Sequence, residues 1–401
     1  MGAYSPHIVR RITLPDAANR VYKHRKPCGE SMYIHELKEW PEFHWNQSAL
    51  TGRLAEVRHA QGRLLGRMEG LGFRLRDEAN LAVMTAEVVK SSAIEGQLLD
   101  DRQVRSSLAR RLGIDAGGTV PASRAVEGVV EMLVDATRKY SEPLTAERLF
   151  GWHAALFPTG HSGTRKIAVG TWRTPDAGPM QVVSGALGRE KVHFEAPEAS
   201  RVPDEMKAFL AWFNAAPRTD PVIKTALAHF WFVTIHPFED GNGRIARAIA
   251  DMALARADGA AERFYSMSAQ IESERRDYYD VLEKLQKGDL DVTAWLAWFI
   301  ECLGHSLDRA GETLSAVLFK ARVWQRVGNA QINDRQRTIM NRLLDGFEGY
   351  LTTSKYAKMA RCSSDTALRD IQELLACGFL LRNPAKGRSV SYRIADPAAA
   401  G

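Results

Sequence analysis

A mainly α-helical bundle carrying one small β-hairpin, followed by a winged-helix domain, is the architecture this sequence predicts. Three observations predict it. Apolar residues recur at helical spacing, as in Leu81, Met84 and Val88 and again in Val222, Ile223, Ala226, Leu227, Phe230 and Val233. Two short β-prone runs, Met180–Val183 and Lys191–Phe194, flank a loop containing Gly185 and Gly188. Residues 335–395 then alternate short helical segments with a strand pair. The expected domains are 1–110, helical; 111–320, the central bundle; and 330–401, the winged helix.

Composition bounds the functional classes. With 401 residues, 45% hydrophobic and 25% charged, the chain has ample core for two or three soluble domains. Cys28, Cys302, Cys362 and Cys377 are scattered without zinc spacing or a disulfide framework. No long apolar run is present, and Arg10, Arg11 and Asp16 interrupt any secretory leader, so the expectation is no membrane partner and a cytoplasmic protein.

From the N-terminus, Trp40-Pro41-Glu42-Phe43-His44-Trp45-Asn46 precedes an amphipathic run from Leu50 to Met68; the aromatic group serves either to pack these helices on the core or as a partner surface. A helix predicted over Glu78–Lys90 leads into Ser91-Ser92-Ala93-Ile94-Glu95-Gly96. If it continues, Ser91 and Glu95 share a face. Spacing alone favours the other reading, a capping box in which Ser92 opens a new helix and Glu95 closes it.

Asp220-Pro221 reads as the cap and first residue of a core helix that delivers His236 to its C-terminal end. His229, seven residues earlier on roughly the same face, reads as a packed core histidine. In Gly241-Asn242-Gly243 two glycines bracket a residue tolerant of left-handed backbone, so successive N–H groups can converge on an anion. The helix formers from Arg244 to Ala255 place that nest at a helix N-terminus. Arg244 and Arg247 share a face of the first turn, where cations oppose the dipole, so a polyphosphate would relieve them. His236 can accept a proton if held neutral, and Asp240 can hold magnesium on the phosphates. Alone, a helix-end histidine or a Gly-Asn-Gly turn is ordinary structure; together they describe a phosphate-handling site.

His236-Pro237-Phe238-Glu239-Asp240-Gly241-Asn242-Gly243-Arg244-Ile245-Ala246-Arg247 resembles the Fic motif, His-x-Phe-x-(Asp/Glu)-Gly-Asn-Gly-Arg-x-x-Arg, at every fixed position. The resemblance implies a Fic-type bundle that transfers AMP from ATP to a Ser, Thr or Tyr hydroxyl of a target protein and releases pyrophosphate. It implies His236 as the base, Asp240 as the Mg2+ ligand, Gly241, Asn242 and Gly243 around the α-phosphate, and Arg244 and Arg247 on the outer phosphates. Ser91, Glu95 and Gly96 resemble the family's inhibitory signature, (Ser/Thr)-x-x-x-Glu-(Gly/Asn). That implies Glu95 pairing with Arg247 from an N-terminal inhibitory helix, with AMP removal by the same site left open. Gly170-Thr171-Trp172-Arg173 resembles the family's Gly-x-aromatic-Arg element, and the hairpin resembles its target-binding flap. An ordinary surface hairpin also fits. Tyr278 stands where the family places an aromatic beside the nucleotide, though core packing accounts for it equally; Trp295, Trp298 and Phe299 read as core.

In the C-terminal region, Arg335–Leu344, Ser354–Ala360 and a helix opened by Ser363 and ended by Gly378 precede strands Phe379–Arg382 and Val390–Ile394. Residues 321–401 hold 13 Lys/Arg against 7 Asp/Glu, a surplus equal to that of the whole chain. DNA contact through residues 330–395 is one expectation, with Thr366 and Arg369 on the recognition helix and Lys386 and Arg388 in the wing; protein binding is the other. A homodimer stays open. The competing function is a nucleotide-responsive transcription regulator, against which His236 and Asp240 are both retained.

Overall fold

The computed structural model describes residues 8–11, 33–114, 120–184, 191–328, 332–344, 347, 349–384 and 390–395. Two compact units are present, Met1–Ala310 and Gly311–Gly401. The expected boundary after residue 110 falls inside a helix, Asp101–Leu112, and the one at 320 falls inside another, Thr293–Val327.

In the first unit, β1 (Ile8–Arg11) precedes α1 (Gln47–Glu69), whose N-terminus Asn46 caps by accepting from the Ala49 N–H. Leu50, Leu54, Val57, Leu64 and Met68 form its buried stripe. α2 (Phe73–Ile94) runs without a break through Ser91 and Ser92, and Glu95 is its C-cap residue. The capping box expected from spacing is therefore absent: Ser92 lies inside a helix, and Ser91 and Glu95 share one face. Asp100, accepting from the Arg102 and Gln103 N–H groups, opens α3 (Asp101–Leu112) instead. α4 (Arg124–Arg138) and α5 (Ala146–Leu156) follow, capped by Ser123 and Thr145.

A two-residue antiparallel pair, β2 (His161–Ser162) and β3 (Arg165–Lys166), precedes the expected hairpin, β4 (Met180–Ser184) and β5 (Lys191–Glu195). The hairpin's connecting residues 185–190 lie outside the described residues, as do Cys28 and Asp16. The structure adds a strand that the sequence did not signal: β1 pairs along the open edge of β4, Ile8 with Val183 through Arg11 with Met180, giving the order β1-β4-β5. A β-edge carries unpaired N–H and C=O groups and accepts such a partner from anywhere in the chain.

α6 (Val202–Asn214), α7 (Pro221–Ile235), α8 (Asn242–Asp258), α9 (Met267–Ser273), α10 (Arg275–Gln286) and α11 (Thr293–Val327) complete the helices that frame the site. α7 is the core helix: apart from Lys224, every side chain from Val222 to Ile235 is buried. A helix apolar on all sides must be surrounded, and here α6, α8 and aromatic neighbours surround it. Phe43 packs edge-on against Phe230 at 5.7 Å and Trp231 at 5.9 Å, while the Trp40 indole donates to Glu205. The N-terminal aromatic group thus packs onto α7. His229 is fully buried, hydrogen-bonded through Nε2 to the Tyr278 hydroxyl at 2.9 Å, and burial lowers its pKa to about 3. It is the packed core histidine expected.

The second unit holds α12 (Asp334–Leu344), α13 (Thr353–Ala360), α14 (Ser364–Ala376) and the antiparallel pair β6 (Leu380–Arg382) and β7 (Tyr392–Ile394). Thr352 and Ser363 cap α13 and α14. Ile339, Met340, Tyr356, Ile371, Leu374, Leu380 and Tyr392 share its core with Val323 and Val327. Buried Asp370 ties three segments together, accepting from Arg335 Nε at 2.9 Å, Asn333 Nδ2 at 3.1 Å and the Tyr356 hydroxyl at 3.1 Å. Arg369 is exposed on α14, and Thr366 Oγ1 shares a hydrogen bond with the capping Ser363. Lys386 and Arg388 lie outside the described residues. Among the described residues no helix is long and apolar enough to cross a membrane.

Candidate active site

A cleft of about 440 Å³ opens in the first unit where four pieces of chain meet. Glu95 comes from the end of α2; Val182, Ser184, His193 and Phe194 from β4 and β5; His236 and Asp240–Gly243 from the turn between α7 and α8; and Tyr278, Tyr279, Leu282, Glu283 and Gln286 from α10.

The α7–α8 turn is held from behind. His236 ends α7 in left-handed backbone, φ 51° and ψ 58°, a conformation uncommon outside glycine. Three groups stabilise it there. The Arg173 N–H donates to the Pro237 carbonyl at 2.9 Å and its Nε to the His236 carbonyl at 2.8 Å, giving the Gly170–Arg173 element a structural role. Asn242 closes the turn on itself, its Oδ1 accepting from the Phe238 N–H and its Nδ2 donating to the Phe238 carbonyl, both at 2.9 Å. The His153 ring stacks on Phe238 at 4.3 Å. Gly241 takes φ 80° as the N-cap of α8, whereas Asn242, expected to take up the left-handed turn, and Gly243 already belong to the helix, which starts two residues before the expected Arg244.

This clamping decides the chemistry of His236. Its Nδ1 lies 3.1 Å from the Val233 carbonyl, so Nδ1 carries the proton and donates, while Nε2 has no partner among the described residues. Burial lowers the pKa to about 4, against the hydrogen bond to Val233, so the imidazole is neutral near pH 7. An unprotonated ring nitrogen beside the cleft is a proton acceptor.

Asp240 lines the same wall. One carboxylate oxygen accepts from the Gly241 N–H at 2.6 Å, and the other accepts from the Ser162 hydroxyl of β2. Among the described residues no three His, Cys, Asp or Glu side chains form a group that could hold a metal. A single carboxylate suits an ion arriving with most of its oxygen ligands already supplied by phosphates and water.

Neither arginine of α8 stands as a free cation in the cleft. Arg247 donates from Nε to Ser91 Oγ at 2.9 Å and from Nη2 to the Ser91 carbonyl and to Glu95 Oε1, both at 2.8 Å. Its Nη1 is buried without a partner among the described residues. Burial alone would lower the Arg247 pKa; the adjacent Glu95 carboxylate reverses that and raises it. Arg244 donates to Gln97 Oε1 at 2.9 Å and lies 5.0 Å above the Phe157 ring, with its Nε buried and unpartnered. A Cβ at Gly243 would collide with Glu95 Oε1, so the glycine makes room for this carboxylate. Gly96 follows at φ 79° and turns the chain away.

Tyr278 packs as core and also lines the cleft. Its ring packs against Trp298 at 5.5 Å and Trp295 at 6.2 Å, its hydroxyl meets His229, and its edge lines the cleft. Asn242 differs from expectation in one respect: its side-chain amide is engaged with Phe238 through both its oxygen and its nitrogen. Sequence reasoning missed Ser162, Gln97, His153, Gln286 and the hydrogen-bonded set Ser184, His193 and Glu283. For Ser162, Gln97 and His153 no local pattern exists; they lie 78, 147 and 17 residues from the groups they hold.

Residues 143–254 match the model of the Fic/DOC family, and residues 33–114 match a domain of unknown function, DUF4172. The protein adenylyltransferase Fic of Aedes aegypti is 26% identical over 252 residues, 58% of this chain and 44% of that protein. The protein adenylyltransferase fic-1 of Caenorhabditis elegans is 26% identical over 205 residues, 51% of this chain and 37% of that one. This chain thus spans less than half the length of these relatives. Among solved structures, a Fic family protein from Desulfovibrio desulfuricans G20 aligns with a TM-score of 0.47 at 21% identity, covering 85% of this chain and 95% of that one.

Proposed function

We propose that this chain is a Fic-type transferase that moves AMP from ATP to a Ser, Thr or Tyr hydroxyl of a target protein in the cytoplasm, and that Glu95 restrains it. The Fic/DOC match over 143–254 and the curated adenylyltransferase relatives support the reaction. The observation that carries the reading is the shared neighbourhood of a bare His236 Nε2 and an Arg247 guanidinium held by Glu95 and Ser91.

In this reading His236 Nε2 takes the target hydroxyl's proton as oxygen attacks the α-phosphorus, and the turn at Gly241, Asn242 and Gly243 receives the α-phosphate through the Asn242 and Gly243 N–H groups, that of Gly241 being held by Asp240. Arg244 and Arg247 receive the outer phosphates, neutralising charge that grows on the leaving pyrophosphate. Their buried, unpartnered nitrogens fit that task. Asp240, oriented by Ser162, would hold a magnesium ion, which would supply neutralisation of the phosphate charge. With Glu95 on Arg247, that guanidinium cannot take the terminal phosphate, and ATP lies unproductively.

A preference for adenine is part of the same reading. The Thr234 hydroxyl donates to the Phe230 carbonyl, so it only accepts from Gln286 Nε2 at 3.3 Å. Gln286 Oε1 is then left as an acceptor on a residue lining the cleft, suited to the amino group of adenine and opposed to the carbonyl of guanine. The second unit we read as a winged helix-turn-helix, with α14 as recognition helix and exposed Arg369 toward DNA.

The test is label transfer from α-labelled ATP with magnesium, comparing the native chain, Glu95→Gly, and Glu95→Gly with His236→Ala. Labelling of protein rises in the single variant and vanishes in the double. Silence of all three toward themselves and a matching lysate sinks the proposal.

A further inference from the structure

At the ends of α7 and α8 opposite the glycine turn lies a second cavity of about 440 Å³. α7 contributes Pro221 and Lys224 from its first turn, and α8 contributes Ala253, Arg256 and Ala257 from its last. The cavity is therefore separated from His236 by the length of α7, roughly 20 Å. Its volume falls within the range of about 300 to 1,000 Å³ that small-molecule sites occupy.

The charge of this cavity is one-sided: Lys224 and Arg256 line it, and no Asp or Glu does. Lys224 Nζ lies 6.0 Å over the Phe213 ring, and the Arg256 guanidinium lies 4.7 Å over the same ring. Among the described residues both donate only to backbone carbonyls, Lys224 Nζ to Ala215 at 2.5 Å and Arg256 to Tyr140 at 2.6 Å and Glu142 at 2.8 Å. Those carbonyls are neutral, so neither positive charge is cancelled. The neighbouring acids are engaged elsewhere. Asp220, one turn before Lys224, accepts from the Val222 N–H and pairs with Arg58 at 3.7 Å, while Asp135 pairs with Arg148 at 2.6 Å. Burial lowers the pKa of both cations, that of Arg256 to about 10, and the Arg256 charge lowers that of Lys224 further.

A clamp between chain segments needs the hydrogen bonds to Ala215, Tyr140 and Glu142, but it does not need two uncompensated charges beside an open cavity. Lys224 uses one of its ammonium donors on Ala215, and Arg256 uses Nε and Nη2 on carbonyls, which leaves further N–H groups for an oxyanion. Proline and alanine side chains supply the apolar remainder of the lining.

From this geometry we propose that the cavity binds a small amphipathic anion, its carboxylate or phosphate head held by Lys224 and Arg256 and its apolar body lying against Pro217, Pro221 and Ala257. The site is separate from the phosphate-handling cleft and does not depend on the transferase reading.

Calorimetric titration of the full chain with octanoate and with octyl phosphate tests it, with octanol and octylamine as neutral and cationic counterparts of the same length. At least one of the two anions binds at one site per chain, about tenfold or more tighter than octanol or octylamine, and the tighter of the two identifies the head group. Lys224→Met lowers that affinity by about tenfold or more. Ala257→Trp, which fills the cavity, abolishes binding. Thermal unfolding checks that each variant is folded, and Lys224→Met decides the matter if the larger side chain is not tolerated. Absence of binding by both anions at millimolar concentration, octanol binding as tightly as they do, or an affinity that Lys224→Met leaves unmoved overturns the proposal.

Discussion

The two walls of the cleft are built from different physics. The α7–α8 turn is locked by buried contacts to backbone: Asn242 on Phe238, Arg173 on His236 and Pro237, and the His153 ring on Phe238. The β4–β5 wall is tied to α10 by side-chain contacts that converge on Glu283, whose partner Lys191 is 69% exposed. Buried hydrogen bonds resist opening because an orphaned polar group is costly, whereas exposed ion pairs are weakly held and screened by salt. One wall is therefore built to stay fixed, and the other to give way more easily.

The largest effect belongs to the locked wall. In a Glu95→Gly background, His236→Ala lowers kcat/KM for labelling by roughly 10² to 10⁴, measured as initial rates at saturating magnesium. The pH profile sharpens the point. His236 works unprotonated and burial lowers its pKa from 6.5 to about 4, so the rate of Glu95→Gly holds as pH falls through 6.5 and declines only near 4. The native chain keeps Glu95, whose charge raises that pKa, so its limb lies above that of the variant. An acid limb near 6.5 would break the account of a buried, neutral base.

Asn242→Ala comes next. It leaves the Phe238 N–H and carbonyl without partners, at a cost of about 2 to 4 kcal/mol in unfolding free energy. Denaturant titration reads this, and an unmoved midpoint means that the turn is held by something other than the asparagine. Glu95→Gly releases one charge-assisted hydrogen bond worth about 1.5 to 3 kcal/mol, so labelling rises by roughly 10- to 150-fold. A Glu95→Gly rate equal to that of the native chain separates the pair from any inhibitory role. The smallest effect is on the other wall: Lys287→Ala removes a partly exposed i,i+4 pair and shifts stability by about 0.5 kcal/mol or less. A loss as large as that of Asn242→Ala would erase the contrast between the walls.

Much of the fold was legible because it is written locally. Asp220 and Pro221 start α7, Ser363 starts α14, and the apolar spacing of Val222–Val233 marks a core helix. The glycine turn was legible for the same reason, since only backbone tolerance at Gly241 is needed. Ser91–Glu95 shows the limit. Its spacing favoured a capping box over a helix face, and packing of α2 against α8 chose the face by bringing Arg247 to it across 152 positions.

By itself, then, the sequence determined the helix starts and the glycine turn, and it marked His236, Asp240, Arg244 and Arg247 as candidate groups, because each of these depends on neighbours within a turn or two. The tertiary structure decided which partner each group has: Glu95 for Arg247, Gln97 for Arg244, Ser162 for Asp240, Phe238 for Asn242, and Glu283 behind His193. Most of these contacts join residues 78 to 152 apart, where no local propensity acts; the burial of α7 and the helices around it brings them together. Only the Asn242 clamp is local, and it too depended on the folded turn, because an amide of that length can face either a ligand or its own backbone.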